Sequence, residues 1–418
     1  MAERKAIRLG SVVRTNVSTY SEKEGWAFVN YLDTGNITQD TISEIQRINV
    51  GTDKLPSRAR RKVQIGNIIY STVRPNQLHY GFIKSQPDNF LVSTGFAVID
   101  VNEKEAVPEY IYYFLTHRDV TERLQAIAEQ STSAYPSIKP SDIEDLTIDL
   151  PPIEEQRKIV GLLKMLDDKI KQNTEINNNL EQQAVLLFRS WFSYFSQSQS
   201  ARLQSSEFGE IPCDFSVVKI GNLPMLVTDY VANGSFASLK ENVTLYQEPN
   251  YAYFIRNTDL KSGSFGVYVD RHSYEFLSKS TLYGGEIIIS NVGDVGSVFL
   301  CPKLDLPMTL GNNIIMLRPQ EDSLRYYLYI WFKHLQGQAL IQGIKGGSAQ
   351  PKFNKTDFKN TSVLLPPEEL LSRFHETVSP MFEAISQNQS ENKRLSGLRD
   401  TLLPRLMSGE LDISTVAL

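Results

Sequence analysis

The feature that most constrains this chain is an internal repeat. When the sequence is shifted by 215 residues against itself, residues 133–187 align without a gap on residues 348–402, with 14 identities in 55 positions. Composition alone would give about three identities over that length. Because a repeat fixes the architecture before any residue is given a role, we interpret the chain as a duplication of one unit.

The correspondence continues upstream of this region, with gaps. The matched segments are NYLDTGNI (30–37) with YFIRNTDL (253–260), and GNIIYSTV (66–73) with GEIIISNV (285–292). These segments, together with FAVIDV and NNIIMLRP, are β-branched runs typical of short strands. An apolar pattern near 108–128 and again near 323–341 predicts a helix in each half.

The length of 418 residues suits two domains of about 150 residues plus connecting elements. The expected fold class is α+β, with two similar globular α/β domains related by pseudo-twofold symmetry and joined by two long antiparallel helices as a coiled-coil spacer. The expected regions are a first domain at 1–150, a central helical spacer at 151–200, a second domain at 201–365 and a C-terminal helical region at 366–418.

The helical regions carry a seam of residues spaced alternately by four and three, which is typical of a coiled coil. The seam comprises Ile159, Leu163, Leu166, Ile170, Asn173, Asn177, Leu180, Ala184, Leu187 and Trp191, and, 215 residues later, Phe374, Val378, Met381, Ile385, Asn388, Asn392, Leu395, Arg399, Leu402 and Leu406. A helix of roughly 40 residues spans about 60 Å. Pro380 predicts a bend or a late start of the second helix, and Pro404 should lie near its end.

Two asparagines interrupt the seam at the same places in both copies. A lone asparagine on such a face is commonly a surface residue, but a repeated pair favours a role in helix register, because a buried amide penalises any unmatched pairing. Antiparallel helices would place Asn173 opposite Asn392 and Asn177 opposite Asn388. We therefore predict that these four residues form a central polar layer.

The overall charge and the cysteine content constrain the class of protein. A formal net charge of −5 argues mildly against nucleic-acid binding, although Lys54 and the cluster Arg58, Arg60, Arg61 and Lys62 could override it locally. Only two cysteines, Cys213 and Cys301, and no long apolar run indicate a cytoplasmic protein without a membrane span. The five histidines are scattered, so no metal site is expected.

The sequence also lacks the motifs of the main DNA-modifying enzymes. It has no Asn/Asp-Pro-Pro-Tyr/Phe motif for methylating a flipped base and no Gly-Lys-Ser/Thr loop for ATP phosphates. GIKGGSAQ (343–350) has its glycines and lysine in the wrong order for such a loop, and we interpret it as a flexible loop. A standalone nuclease or methyltransferase is therefore disfavoured.

The central segment LPPIEEQRKIVGLLKMLDDKIKQNTEINNNLEQQAVLLFRSWF resembles the central conserved region of type I restriction-modification specificity subunits. LRDTLLPRLMSGELDI (398–413) resembles their C-terminal signature. The resemblance implies that the chain recognises a bipartite double-stranded DNA motif through two target recognition domains and is not itself catalytic. It implies no cofactor on this chain, because two modification subunits use S-adenosylmethionine to methylate adenine N6. Restriction subunits would use ATP and Mg²⁺ for translocation and cleavage.

Base recognition needs Arg or Lys for guanine and Asn or Gln for adenine, presented at a groove by a supported loop. Beyond the strand IGNIIYSTV, the best candidates are Arg74, Asn76 and Gln77. The clustered cations Arg58, Arg60, Arg61 and Lys62 are better suited to phosphates, or form an ordinary solvated loop. Tyr135 and Gln350 are equivalent in the repeat and could distinguish two half-sites. The further candidates in the second domain are Arg256, Asn257, Asn291, Lys345 and Lys352.

The repeated LPP segments are candidates for binding the partner subunits. Pro151 and Pro152 precede the first long helix, and Pro366 and Pro367 precede the second; the prolines could equally serve only to end a strand and start a helix. Leu371 stands in the second copy where the first has Gln156, so the resemblance assigns a partner contact only to Glu155 and Gln156. The alternative function is a duplicated protein-interaction scaffold that does not bind DNA.

Overall fold

The computed structural model describes residues 4–131, 135–195, 202–347 and 350–413. The chain separates into two compact units. The first unit comprises Met1–Gln172 with Glu391–Leu418, and the second unit is Asn173–Ser390. Each long helix is thus divided between the units, whereas the sequence analysis treats the helical regions as separate segments. The physical reason is that the two halves of each helix contribute apolar side chains to different cores.

The described residues of the first unit form two four-stranded sheets and three short α-helices. Its strands are β1 (Lys5–Arg8), β2 (Val13–Thr15), β3 (Phe28–Leu32), β4 (Ile37–Thr38), β5 (Thr41–Ile42), β6 (Gln46–Asn49), β7 (Ala59–Lys62), β8 (Ile68–Ser71), β9 (Tyr80–Phe82), β10 (Phe90–Ser93), β11 (Phe96–Val101) and β12 (Thr147–Leu150). Its short helices are α1 (Pro108–Leu115), α2 (Arg118–Glu129) and α3 (Pro140–Glu144), and the long helix α4 (Ile153–Phe188) begins in it. The strand orders are β6-β3-β10-β7 and β2-β11-β8-β9, with separate pairs β1-β12 and β4-β5.

The second unit repeats this plan with small additions. Its helices are α5 (Phe236–Asn242), α6 (Asn257–Ser262), α7 (Arg271–Phe276), α8 (Ser323–Lys333), α9 (Leu335–Gly343) and α10 (Lys355–Asn360), and α11 (Glu368–Met407) begins in it. Its strands are β13 (Leu203–Ser206), β14 (Gly209–Pro212), β15 (Ser216–Lys219), β16 (Met225–Asp229), β17 (Leu245–Tyr246), β18 (Ala252–Ile255), β19 (Tyr268–Val269), β20 (Thr281–Leu282), β21 (Ile287–Ser290), β22 (Val298–Leu300), β23 (Met308–Leu310), β24 (Ile314–Pro319) and β25 (Ser362–Leu365). The main sheets have the orders β16-β24-β21-β22 and β17-β19-β18-β23-β20. The central parallel pair β3–β10 of the first unit recurs as β18–β23.

Both units contain the same antiparallel ladder, which joins a strand early in the globular domain to its last strand. Strand β1 pairs with β12 and β15 pairs with β25, and the ladders begin at Lys5–Leu150 and Ser216–Leu365. The glycine after each first strand packs closely on a short helix: a Cβ on Gly10 would lie 3.0 Å from the Glu144 Cβ, and one on Gly221 would lie 3.1 Å from the Lys359 oxygen. The duplication therefore extends upstream to the first strand of each ladder, where only the following glycine is identical.

The helix predicted in each half is interrupted in the structure. The region 108–128 forms α1 and α2, and the region 323–341 forms α8 and α9. In both copies a histidine with extended backbone stands at the break, His117 and His334. In the second unit the chain changes direction sharply at this break, so that a Cβ on Gly337 would lie only 2.2 Å from the Trp331 carbonyl oxygen.

The two long helices follow the predicted pattern closely. Helix α4 has 36 residues and continues into a π-helical turn, Arg189–Ser193, whereas α11 has 40 residues. Pro380 lies well inside α11, so the helix does not start late and the alternative, a bend at Pro380, stays a prediction. Pro404 lies in the last turn as expected. No seam position is exposed in either helix. Within the described ranges, no helix combines the length and apolar character that crossing a bilayer requires.

The helices run antiparallel within each unit, as the contacts between them demonstrate. In the second unit, the Asn388 amide donates to the Asn177 side-chain oxygen at 2.8 Å, which confirms the predicted pair. In the first unit, the Asn392 amide donates to the Ile170 carbonyl at 3.3 Å. Asn173 is buried, and its pairing with Asn392 stays a prediction.

The Asn177–Asn388 pair gives a testable prediction for helix register. In a double-mutant cycle, Asn177→Ala and Asn388→Ala should couple by about 1 kcal/mol, because either single change leaves a partly buried amide without its partner. The free energies of unfolding would be measured by urea denaturation. Asn178→Ala, at an exposed neighbouring position, should show no coupling to Asn388→Ala. Additive effects for Asn177 and Asn388 would contradict the register role.

Candidate nucleic-acid interface

A crossing of two loops lies at the end of β8 in the first unit. Residues 72–74 run beside residues 136–138, with an antiparallel bridge between Val73 and Ser137. The Arg74 N–H donates to the Pro136 carbonyl at 2.9 Å, and the Ile138 N–H donates to the Thr72 carbonyl at 2.8 Å. The loop that carries the predicted base contacts is therefore fixed to the segment that contains the repeated proline.

The second unit contains the same loop crossing at the end of β21. Val292 bridges Lys352. The Gly293 N–H donates to the Pro351 carbonyl at 3.0 Å, and the Phe353 N–H donates to the Asn291 carbonyl at 3.0 Å. The matched residues Ser133, Ala134, Ser348 and Ala349 lie outside the described residues. The three shared backbone contacts establish that the two loop crossings are structurally equivalent.

In the first unit, the loop crossing presents exposed polar side chains. Arg74, Asn76 and Gln77 are exposed, whereas the intervening Pro75 is buried. The turn Pro75–Gln77 is closed by the Gln77 N–H on the Arg74 carbonyl at 2.9 Å. The Arg74 guanidinium carbon lies 5.3 Å from the ring centroid of Tyr135, whose side chain is 61% exposed. The structure therefore brings the predicted residues of both segments together.

The basic cluster is divided between this edge and another face. Arg58 is exposed, and its backbone is linked to Thr72 through the turn Thr94–Gly95. The Thr94 N–H donates to the Arg58 carbonyl at 2.8 Å, and the Thr72 N–H donates to the Gly95 carbonyl at 2.8 Å. Arg58 thus lies on the same edge as Arg74. A phosphate contact from Arg58 would add affinity at this edge without base discrimination.

The other three cations of the cluster lie on β7 and are half-buried. Arg60 forms an ion pair with Glu22 at 3.1 Å. Lys62 pairs with Glu24, and its ammonium lies 5.2 Å from the Trp26 ring centroid. Burial lowers the pKa of the Arg61 guanidinium. Arg60 and Lys62 are already neutralised by Glu22 and Glu24. The two cations therefore contribute less to an anion-binding surface than the sequence suggests.

The predicted residues of the second unit separate in a similar way. Gln350, Lys352 and Lys345 are exposed at or beside the loop crossing, and the Lys345 ammonium donates to Gln342 at 3.2 Å. The Asn291 amide donates to the Phe353 carbonyl at 3.2 Å and helps to fix the loop crossing. These positions combine amide and ammonium donors, with Gln350 suited to adenine.

Arg256 and Asn257 lie at the start of α6. The Arg256 guanidinium binds both oxygens of the buried Asp259 carboxylate, at 3.0 and 2.6 Å. This ion pair fixes the guanidinium and raises its pKa. Arg256 therefore has a structural partner in addition to any role in DNA binding.

An acidic residue beside the second loop crossing was missed in the sequence analysis. Asp294 follows Gly293 directly and accepts from the Ser297 hydroxyl at 2.8 Å and from the Lys261 ammonium at 3.2 Å. These hydrogen bonds hold the pKa of the Asp294 carboxyl below its ordinary value. A carboxylate at this edge disfavours phosphate and can accept from the cytosine amino group. Its position two residues beyond the matched segment GEIIISNV (285–292) was the available signal.

The candidate partner-binding residues begin both long helices. Pro151 and Pro366 are buried, Pro367 is half-buried and Pro152 is exposed. Glu155 is half-buried and pairs with Arg4. Arg4 also donates to the Met407 carbonyl at 2.7 Å and the Leu406 carbonyl at 3.0 Å, and so fixes the end of α11.

Gln156 corrects one expectation, because it is fully buried and cannot contact a partner directly. Its amide nitrogen donates to the Pro151 carbonyl at 2.8 Å, and its oxygen accepts from the Val107 N–H at 2.8 Å. Gln156 therefore joins the start of α4 to the start of α1. Leu371, its counterpart, is also buried.

The exchange Gln156→Leu, which introduces the residue of the second copy, should destabilise the first unit by about 1–3 kcal/mol. The leucine would leave the Val107 N–H and the Pro151 carbonyl without their partner, at the usual cost of unsatisfied groups. Urea denaturation of the variant would measure this loss. Glu154→Ala, at an exposed neighbouring position, should change stability by less than about 0.5 kcal/mol. Equal effects of the two changes would contradict the proposed bridge.

The described residues contain no cluster of three or more His, Cys, Asp or Glu side chains that could hold a metal ion. The loop crossings instead present guanidinium, ammonium and amide groups, which suit the binding of phosphates and base edges. Fold and site together define a protein with two copies of one binding domain, whose exposed residues differ.

Comparisons with known proteins identify the family. The family model described as the type I restriction modification DNA specificity domain matches residues 7–182 and 227–395, so the chain belongs to that family. The HindI specificity subunit of Haemophilus influenzae is 26% identical, covering 98% of this chain and all of the relative. The MjaIX specificity subunit of Methanocaldococcus jannaschii is also 26% identical, covering 97% and 92%. The S subunit structure from M. genitalium has a TM-score of 0.52 at 16% identity, covering 99% of this chain and 97% of that one.

Proposed function

We propose that this chain recognises a bipartite sequence in double-stranded DNA as the specificity subunit of a type I restriction-modification complex. The observation that carries the proposal is the duplicated loop crossing. Its backbone is shared by the two units, whereas its exposed residues differ: Arg74 and Tyr135 in the first, Gly293 and Gln350 in the second. A common scaffold with different polar side chains fits a protein that reads two different half-sites.

The proposal assigns the chemistry to partner subunits. Two modification subunits would methylate adenine with S-adenosylmethionine, and restriction subunits would translocate and cleave DNA with ATP and Mg²⁺. The chain itself would bind no cofactor and would act in the cytoplasm. Its net charge of −5 and the internal pairing of Arg60, Lys62 and Arg256 support a role for these partners in neutralising DNA phosphates.

The experiment that tests the proposal is the exchange of one recognition domain. Modified adenines would be mapped in DNA from cells that express the complex with its own modification subunits. Replacing the globular part of the second unit by that of another specificity subunit should change one half of the motif and leave the other half intact. A change in both halves, or in neither, would contradict independent reading by the two domains.

A binding measurement separates this function from a scaffold that does not bind DNA. The assembled complex should bind its motif more tightly than unrelated duplex DNA by a factor of about 10³ or more, with affinity that falls as salt rises. Equal affinity for both duplexes, or no binding, would favour the scaffold. The modification subunits without this chain provide the control for non-specific binding.

A further inference from the structure

Arg74 occupies a backbone conformation that disfavours it. Its φ is +48°, and among the described residues it is the only cationic side chain with positive φ. A side chain in this left-handed region meets steric repulsion from its own backbone, which glycine avoids. Uncommon conformations of this kind concentrate at functional sites, where the side chain's role outweighs the strain.

The duplicated unit supplies an internal comparison for this position. Gly293 is the equivalent residue, because both N–H groups donate to the carbonyl of the repeated proline, and its φ is also positive, at +79°. A Cβ on Gly293 would meet no heavy atom within 4 Å. The second unit therefore uses the residue that the backbone prefers, while the first unit carries an arginine that neither the backbone nor the packing requires.

The Arg74 side chain is oriented but not neutralised. Its guanidinium lies over the Tyr135 ring at 5.3 Å. Among the residues that the structure describes, it forms no ion pair, in contrast to Arg60 and Arg256. An arginine stacked on an exposed ring keeps its five N–H donors in the plane of the guanidinium, available for bidentate bonding.

We infer that Arg74 determines a guanine in the half-site read by the first unit, and that Tyr135 is the positioning residue that holds its guanidinium. Bidentate bonding of arginine to guanine O6 and N7 in the major groove is the contact that this arrangement suits. The second unit, with Gly293 and Gln350 at the equivalent places, makes no such contact there. This inference rests on the proposed function, since it presupposes that the loop crossings meet DNA.

The test compares Arg74→Gly and Arg74→Lys in the complex assembled with its modification subunits. Binding would be measured on duplexes in which each base pair of the motif is changed in turn, and modified adenines would be mapped in cells. Arg74→Gly should abolish discrimination at one G·C pair of one half-site, a loss of tenfold to a hundredfold, and leave the other half-site unchanged. Arg74→Lys should keep affinity for non-cognate DNA and weaken this discrimination only in part, because lysine retains the charge and can donate to guanine but lacks the planar fork.

One further variant controls for charge, the melting of Arg74→Gly controls for folding, and two variants test Tyr135. Arg118→Lys, on an exposed arginine of α2, should behave as the unchanged protein. Arg74→Gly should melt no lower than the unchanged protein, because glycine adopts this conformation at 293. Tyr135→Leu should weaken discrimination at the same base pair several-fold, whereas Tyr135→Phe should preserve it.

Several outcomes would overturn the inference. Retention of the whole motif in Arg74→Gly, or loss at an A·T pair, would exclude guanine recognition by Arg74. Full discrimination in Arg74→Lys would exclude the bidentate contact. A change at a different base pair in Tyr135→Leu would make Tyr135 a direct contact instead of a positioning residue. If the unchanged complex recognised no bipartite motif, the proposed function itself would fail, and this result is distinguishable from the others.

Discussion

Phe374→Ala is expected to destabilise the second unit by about 3–5 kcal/mol, the usual cost of deleting a fully buried phenylalanine side chain. Phe374 is completely buried. Its ring centroid lies 4.9 Å from that of Phe192 and 5.6 Å from that of Trp191. Those two residues belong to the π-helical turn that follows α4, so the substitution would leave a cavity where the two long helices meet in this unit.

The fluorescence of Trp191 and Trp331 would report this loss during urea denaturation, because both tryptophans lie in the second unit. A Trp26→Phe background removes the signal of the third tryptophan, which lies in the first unit. Phe236→Ala is the matched control, since Phe236 is 80% exposed and should change stability by less than about 0.5 kcal/mol. A loss below about 1.5 kcal/mol for Phe374→Ala would show that this aromatic core collapses readily around the cavity.

The second large loss of stability is expected for Glu286→Ala, which should lower the free energy of unfolding by about 2–4 kcal/mol. The buried Glu286 carboxylate accepts from the Arg318 guanidinium at 2.9 Å and from the backbone N–H groups of Tyr283 and Gly284 at 2.8 and 2.9 Å. Removing it leaves a charge and two donors without their acceptor, and such losses are large when one partner of a buried pair is deleted. Because Arg318 is partly exposed, the expected loss is somewhat smaller than the roughly 3–5 kcal/mol that breaking a fully buried pair usually costs.

The free energy of unfolding, measured by the same denaturation, would distinguish the contributions at this site. Glu286→Gln should lose less than Glu286→Ala, because the amide oxygen can still accept from the backbone. Glu275→Ala removes an exposed carboxylate that pairs with Arg271, and should cost less than about 1 kcal/mol. Similar losses for Glu275→Ala and Glu286→Ala would contradict the importance of burial.

The sequence predicted the fold because the repeat and the periodicity are properties of the chain itself. The seam predicted α4 and α11, and the β-branched runs predicted β8, β11, β21 and β24. The ladders β1–β12 and β15–β25 were missed because their first strands preserve burial and register but hardly any identities. The breaks at His117 and His334 were also missed, since neither residue stops a helix by its own chemistry.

The candidate site was only partly predictable. Sequence can nominate Arg74 and Tyr135 as polar residues, but their proximity depends on the hydrogen bonds of the loop crossing. Nor does the sequence reveal that Arg60 and Lys62 have acidic partners or that Gln156 is buried, because these properties arise from contacts between distant segments. The positive φ of Arg74 could not be predicted either, because arginine does not favour the left-handed region and so gives no sequence signal for it.

The division of the long helices between the units determines the order in which the chain can complete its folding during synthesis. The second unit is continuous, Asn173–Ser390, whereas the first unit also requires Glu391–Leu418. Leu403 and Leu406 belong to the same apolar core as Ile159 and Leu163, and they leave the ribosome after the whole of the second unit. Although domains commonly fold in the order of synthesis, here the domain that begins first would be finished last. Until the end of α11 emerges, the nascent first domain would expose part of its core to chaperones.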